Sequence, residues 1–119
     1  MKERQKIILD VIPLTRISLS RSQSFSYLSS KGLGAGTLVS VPFFKRKIEG
    51  IVLGNRPDFP RLGNIKLRNI EGVIEENLLD SKQLELAFFV SDYYFSPLGV
   101  VLKSFVPKKV AERGIKNTV

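Results

Sequence analysis

A cluster of aromatic and basic side chains is the feature of this 119-residue sequence best suited to chemistry. It occupies residues 43–47 and reads Phe43-Phe44-Lys45-Arg46-Lys47. Cations attract phosphate groups, and an exposed aromatic ring can stack on an unpaired base at about 1–3 kcal/mol per base. The spacing therefore predicts a nucleic-acid-binding surface. The alternative is that Phe43 belongs to the core and that the cations only keep a turn soluble.

The distribution of charge supports a polyanionic partner. The formal net charge is +8. Residues 1–68 carry 13 basic and 4 acidic side chains, whereas residues 69–95 carry one basic and six acidic side chains. A basic half beside an acidic segment favours one face turned toward a polyanion. Ordinary solvated charge of both signs remains the alternative interpretation.

The composition argues against catalysis. The chain has no cysteine and no histidine, so thiolate chemistry and the commonest general base and metal ligand are missing. The glycine cluster at 32–36 lacks the spacing of a phosphate loop and is predicted to be a turn. Adjacent Glu75 and Glu76 would point to opposite faces of a strand, so they could not form a facing pair of catalytic carboxylates. We expect a cytoplasmic protein without enzymatic activity, cofactor, signal peptide or membrane span.

Five strands and two helices are predicted to position these residues. Apolar and alternating runs predict strands over residues 6–12, 25–28, 37–43, 48–53 and 68–76. Asp80 and Gln83 have the spacing of a capping box for a helix ending near Tyr94, and Pro97 begins a second short helix. This order predicts an α+β domain: a small, curled, barrel-like antiparallel sheet followed by two C-terminal helices. We expect the domain to cover residues 1–107 and a polar tail or linker to cover 108–119.

Aromatic residues outside the basic cluster are expected to serve mainly in packing. Phe25 and Tyr27 lie two residues apart, so a strand would place them on one face. Both are expected to contribute to the core. The adjacent Tyr93 and Tyr94 are expected to pack the first helix against the sheet.

Several short motifs occur in a telling order. They are Phe-Ser-Tyr at 25–27, Val-Pro-Phe-Phe-Lys at 41–45, Glu-Gly-Ile-Val at 49–52, Asp-Tyr-Tyr-Phe-Ser-Pro-Leu-Gly at 92–99 and Phe-Val-Pro at 105–107. Together they resemble the N-terminal domain of primosomal protein N′, the PriA family of replication-restart helicases. The resemblance covers roughly residues 7–110, and the tyrosine pair followed by Pro-Leu-Gly is its most specific part.

The resemblance implies a function. In that family the domain is a DNA-binding module that captures the 3′ end of the nascent leading strand at a stalled fork, while the ATPase motor lies in other domains. It implies a non-catalytic module of replication restart that binds branched or single-stranded DNA with a 3′ end. Replication-restart proteins and single-stranded-DNA-binding protein are implied as partners. A protein-interaction module that docks on replication proteins and an RNA-binding module remain alternatives.

The resemblance also implies a set of binding residues. The Phe-Asp-Tyr motif of the family corresponds to Phe25, Ser26 and Tyr27. Phe44 and Lys45 follow the Val-Pro-Phe strand, Arg46 adds a cation to the same turn, and Lys66 corresponds to a lysine before the last strand. Two residues depart from the family, because Ser26 replaces an aspartate and Phe44 replaces a glycine. Phe44 is expected either to stack on the terminal base or to fill its pocket.

Overall fold

The computed structural model describes residues 7–57 and 67–107. Within these ranges five strands are followed by two helices, which confirms the predicted α+β class and element order. The strands are β1 (Ile7–Pro13), β2 (Phe25–Ser29), β3 (Leu38–Phe43), β4 (Arg46–Pro57) and β5 (Gly72–Glu75), and the helices are α1 (Ser81–Tyr94) and α2 (Leu98–Lys103). Residues 1–6 and the expected tail at 108–119 lie outside the described residues.

The strands form one antiparallel sheet in the order β2-β1-β4-β3-β5. β4 is its central and longest strand, with twelve residues. Its first half pairs with β3 and its second half pairs with β1. The prediction that this strand ends at residue 53 is wrong, because residues 54–57 continue the pairing with β1 despite their glycine and proline.

The segment that precedes β5 curls the sheet without closing it. The Leu28 N–H donates to the Arg68 carbonyl oxygen at 2.8 Å, and the Ile70 N–H donates to the Leu28 carbonyl oxygen at 3.0 Å. Residues 68–70 therefore run beside β2. The Glu71 N–H then donates to the Ser40 carbonyl oxygen at 2.7 Å, and β5 continues along β3. The strand predicted over 68–76 is thus a strand only over β5, because its first part crosses from one sheet edge to the other.

The central strands are buried on both faces, as the continuous apolar run of β1 predicts. Val11 belongs to one hydrophobic cluster and Ile12 to the other, since neighbouring side chains point to opposite faces. The first cluster joins one face of the sheet to both helices through Leu84, Ala87 and Leu102, among others. The second cluster contains Tyr27 and lies on the opposite face. The sheet is therefore a two-sided scaffold.

A capping box fixes the start of α1, and a glycine allows α2 to pack closely on β1. The predicted capping box of α1 is confirmed: the Gln83 N–H donates to Asp80 Oδ1 at 2.8 Å, and the Asp80 N–H donates to Gln83 Oε1 at 2.9 Å. At the start of α2, a Cβ on Gly99 would lie 2.2 Å from the carbonyl oxygen of Pro13. Only glycine permits that approach. The Pro-Leu-Gly motif therefore seats α2 on the end of β1.

Candidate nucleic-acid interface

The tip of the β3–β4 hairpin presents Phe44 in a constrained backbone conformation. Phe43 pairs with Arg46, so Phe44 and Lys45 form a two-residue loop. Phe44 has a φ of 57°, and the first loop position of a type II′ hairpin turn normally holds glycine because it requires positive φ. The residue as a whole is 71% exposed. The chain therefore keeps a large aromatic group at a position where glycine is preferred.

Three phenylalanine rings form an aromatic ridge, defined here as Phe25, Phe43 and Phe44. The ring centroids of Phe25 and Phe43 are 5.2 Å apart at an interplanar angle of 84°. Those of Phe43 and Phe44 are 4.8 Å apart at 82°. Such edge-to-face contacts are favourable for aromatic pairs. The ridge joins β2 to the hairpin tip and holds the Phe44 ring from one side while leaving most of it exposed.

One side of the ridge borders a cleft of about 570 Å³, called here the Arg68 cleft. Tyr27, Pro42 and Arg68 contribute to its lining together with the ridge. The Tyr27 hydroxyl donates to the Pro42 carbonyl oxygen at 2.7 Å, and Arg68 Nη1 donates to the Phe44 carbonyl oxygen at 3.2 Å. Burial raises the pKa of Tyr27, and the charge of Arg68 partly offsets this rise. The cleft thus combines an aromatic wall with the exposed guanidinium of Arg68.

The side chain of Ser26 takes part in a polar cluster across the β1–β2 pair. Ser26 is the register partner of Asp10, and its hydroxyl donates to Asp10 Oδ1 at 3.3 Å. Arg56 on β4 forms an ion pair with the same carboxylate at 3.2 Å and contacts the Ser26 hydroxyl at 3.2 Å. The hydrogen bond and charge of Asp10 raise the pKa of Arg56. Ser26 also lines the Arg68 cleft, but its hydroxyl is engaged by Asp10 and Arg56.

The structure brings only part of the predicted residue set together. Phe25, Ser26, Tyr27 and Phe44 all line the Arg68 cleft. Lys45 and Arg46 are exposed at the hairpin tip and do not line it. The predicted Lys66 lies outside the described residues.

A second cleft, of about 460 Å³, also borders the ridge. Its lining adds Arg16, Ile17 and Arg21 from the β1–β2 loop to the three ridge residues. We call it the Arg16–Arg21 cleft. Sequence reasoning missed both arginines because the serine-rich run around them indicates only a loop. It missed Arg68 because the contact of residues 68–70 with β2 depends on the curl of the sheet.

The helix α1 carries an exposed aromatic surface at a separate place. The expectation that Tyr93 and Tyr94 pack against the sheet is wrong, because they are 65% and 66% exposed. Phe89 and Tyr93 stack on each other with centroids 5.7 Å apart. Only Leu84 and Ala87 of this helix are buried. Val90 is partly buried against the same core cluster, whereas the larger aromatic side chains of the helix lie at the surface.

Neither a metal centre nor a membrane-spanning helix occurs in the described part of the chain. No group of three or more potential metal ligands comes together within residues 7–57 and 67–107. In the same ranges no helix is long and apolar enough to cross a membrane.

Comparison with known proteins shows which sequences this chain is similar to. Residues 7–107 match the family described as PriA 3′DNA-binding domain (3′BD). The Replication restart protein PriA of Rickettsia felis is 36% identical over 86 residues, and that of Rickettsia conorii is 34% identical over 87 residues. Each match covers 71% of this chain and 13% of the relative, so the chain spans only a small part of the length of these curated proteins. The similarities favour DNA binding over the protein-interaction and RNA-binding alternatives.

Proposed function

Because the chain belongs to the PriA 3′DNA-binding domain family, we propose that it captures the 3′ end of a DNA strand at a branched replication substrate. It does so as a non-catalytic module of replication restart. The observation that carries this proposal is the Arg68 cleft beside the exposed ring of Phe44. Its volume of about 570 Å³ lies in the usual range of ligand sites. The aromatic ridge offers a stacking surface, and Arg68 offers a phosphate contact.

The two departures from the family motif suggest how the end is recognised. The Asp10 carboxylate lies beside Ser26, but Arg56 and the Ser26 hydroxyl already bind it. It is therefore poorly placed to accept hydrogen bonds from a base amine. Phe44 lines the cleft and is at the same time largely exposed. We propose that stacking on Phe44 replaces much of the carboxylate contact, so that the chain tolerates any terminal base.

The remaining functions belong to the longer proteins that the chain resembles. The matched relatives are named replication restart proteins, and the match covers 13% of their length. We propose that ATP hydrolysis and DNA unwinding are carried out by other parts of such a protein. Lys45 and Arg46 then add non-specific phosphate contacts at the hairpin tip, and Lys66 contributes another. Single-stranded-DNA-binding protein and other replication-restart proteins are the proposed partners, and the cytoplasm is the proposed location.

Fluorescence anisotropy with chemically defined DNA ends tests end capture. The probes are matched forks whose leading strand ends in a 3′-hydroxyl or a 3′-phosphate, with single-stranded DNA and RNA for comparison. A site that encloses the terminal nucleotide has no room for an added charged group, so the 3′-hydroxyl fork should bind more tightly. Purely electrostatic attachment would tolerate or prefer the phosphate.

Two results would contradict the proposal. Equal or tighter binding of the 3′-phosphate fork would leave only non-specific DNA attachment. No binding to any nucleic acid at low salt would favour the protein-interaction module instead.

A further inference from the structure

The Arg16–Arg21 cleft has the composition of an anion site that the proposed end capture does not use. Arg16 and Arg21 are exposed, and within the described residues neither guanidinium forms an ion pair. Among the residues that the structure describes, no carboxylate lines the cleft. Unpaired guanidinium groups have a planar fork of donors that matches the oxygens of a phosphate. The described surface around this loop is therefore positively charged and open to a phosphate group.

The loop that carries the two arginines is held in place by Gln23. Its side-chain amide nitrogen donates to the carbonyl oxygens of Ile17, Ser18 and Arg21 at 3.0 to 3.2 Å. Its oxygen accepts from the Leu98 N–H at 3.2 Å, which fastens the loop to the start of α2. The side chain of Ile17 is buried and adds an apolar anchor. The arginines thus project from a loop with a defined shape, which lowers the entropic cost of binding.

The two clefts adjoin one another. Both are lined by Ser22 and by all three residues of the aromatic ridge. A strand whose last nucleotide occupies the Arg68 cleft and stacks on Phe44 would therefore pass over the ridge toward the arginines. The backbone phosphates of that strand are negatively charged. They would pair with the two arginine side chains, which form no ion pair within the described residues.

We propose that Arg16 and Arg21 bind a backbone phosphate of the captured strand, at the first or second linkage from its 3′ end. This inference rests on the proposed capture of that end in the Arg68 cleft. The ridge then separates two subsites: one for the terminal nucleotide and one for the phosphodiester next to it. The site would recognise the adjoining backbone of the strand as well as its end, because a terminal nucleotide without the neighbouring phosphate fills only one subsite.

Single methylphosphonate linkages provide the test, because each removes one phosphate charge at a known position. Fork affinities are measured with the neutral linkage at the first, second or sixth position from the 3′ end. In the parent protein a neutral first or second linkage should lower affinity about tenfold, and a neutral sixth linkage much less. The double variant Arg16→Gln/Arg21→Gln should lose about tenfold on the natural fork and should no longer respond to the neutral linkage. Its slope of log affinity against log salt should fall in magnitude by about 0.7 for the one phosphate lost.

A charge-matched variant separates local contact from overall charge. Lys31→Gln/Lys82→Gln removes the same two charges from exposed positions outside both clefts, so its affinity loss should be the same for every linkage. A thermal melt of each variant confirms folding, and Gln23→Leu, which loosens the loop while keeping both arginines, should weaken the response to the neutral linkage. Equal responses to the neutral linkage in the parent and the arginine variant would overturn this proposal. The comparison of 3′-hydroxyl with 3′-phosphate ends tests capture itself, so failure of the two proposals can be told apart.

Discussion

The hydroxyl of Tyr27 on β2 donates a 2.7 Å hydrogen bond to the carbonyl oxygen of Pro42 on β3, although β1 and β4 lie between these strands in the sheet. In a flat sheet three strand spacings would separate them by about 14 Å. The contact therefore reports the curl of the sheet. It also ties together the two strands whose neighbouring residues, Phe25 and Phe43, form the ridge. One phenol thus links the curvature of the scaffold to the shape of the candidate site.

We expect Tyr27→Phe to lower the free energy of unfolding by about 1 kcal/mol, because the partly buried Pro42 carbonyl would lose its partner. In a domain of this size that corresponds to a fall of about 4–8 °C in Tm. Urea denaturation and thermal melts measure the change. Tyr93→Phe, which removes the same group from an exposed ring, is the control and should leave stability unchanged. A Tyr27→Phe variant as stable as the parent would show that the cross-link does not stabilise the curl.

The hydrogen bond between Tyr27 and Pro42 also predicts that the stability of the fold depends on pH in the alkaline range. Burial raises the pKa of Tyr27 in the folded state above its ordinary value of 10.0, with a smaller opposing effect from Arg68. The folded state thus favours the neutral phenol, so its contribution to stability is fully present below pH 10 and is lost as the pH rises through the folded pKa. The stability difference between the parent and Tyr27→Phe should narrow above pH 10. A difference that stays constant from pH 8 to pH 11 would contradict this mechanism.

Glu49 on β4 is expected to destabilise the fold at neutral pH. Burial raises its pKa, the charge of Lys103 partly offsets this, and its Oε2 is buried without a hydrogen-bond partner among the described residues. Because the folded pKa is raised, the stability associated with the protonated form is present below pH 4.5 and is lost as the pH rises. Glu49→Gln should therefore raise the free energy of unfolding at pH 7 and should raise it much less at pH 4.

The exposed Glu85→Gln is the control for Glu49→Gln, since it removes the same charge from a basic chain. If both variants change stability equally at pH 7, net charge rather than the buried oxygen explains the effect. Denaturant titrations at the two pH values measure both variants.

The Phe44→Gly variant should separate the effect of Phe44 on stability from its effect on DNA binding. Glycine adopts a φ of 57° without steric strain. Loss of the ring should weaken fork binding by about 1–3 kcal/mol if the ring stacks on a base. Phe95→Gly is a closely matched control, because Phe95 is 80% exposed, has a φ of 54° and lines neither cleft. Both variants should be at least as stable as the parent, and only Phe44→Gly should bind DNA less well. Tighter binding of 3′-hydroxyl forks by Phe44→Gly would show instead that the ring obstructs the site.

Replacing Lys45, Arg46 and Lys47 together with glutamate should weaken binding to all DNA sequences alike. These side chains are exposed at the hairpin tip. Contacts to phosphates position a protein on DNA without reading the base sequence of the DNA. If about four phosphates are neutralised in the parent complex, its salt slope on single strands should be roughly −3, and the triple variant should show a shallower one. Anisotropy titrations at several salt concentrations measure both. Unchanged affinity would place the hairpin tip outside the interface.

How much the sequence reveals differs between the scaffold and the site. The apolar run of β1, the capping box at Asp80 and the Phe25–Tyr27 spacing predict local structure correctly, because each depends on nearby residues. The exposure of Tyr93 was not predictable in this way, since spacing alone does not show which side of a helix is covered. Arg68, Arg16 and Arg21 reach the ridge only through the curl of the sheet and the Gln23 anchor, which involve contacts between distant parts of the chain.

The shared central strand β4 also constrains the order of folding. It pairs with β3 through a two-residue loop, but with β1 across separations of 37 to 50 residues. Local contacts form before distant ones because they close shorter loops. We therefore expect the β3–β4 hairpin to form early and the β1–β2 hairpin to wait, with one apolar face uncovered, until residue 57 has left the ribosome. Stalled nascent chains that expose residues only as far as 45 should remain protease-sensitive, whereas chains that expose β4 fully should gain protection.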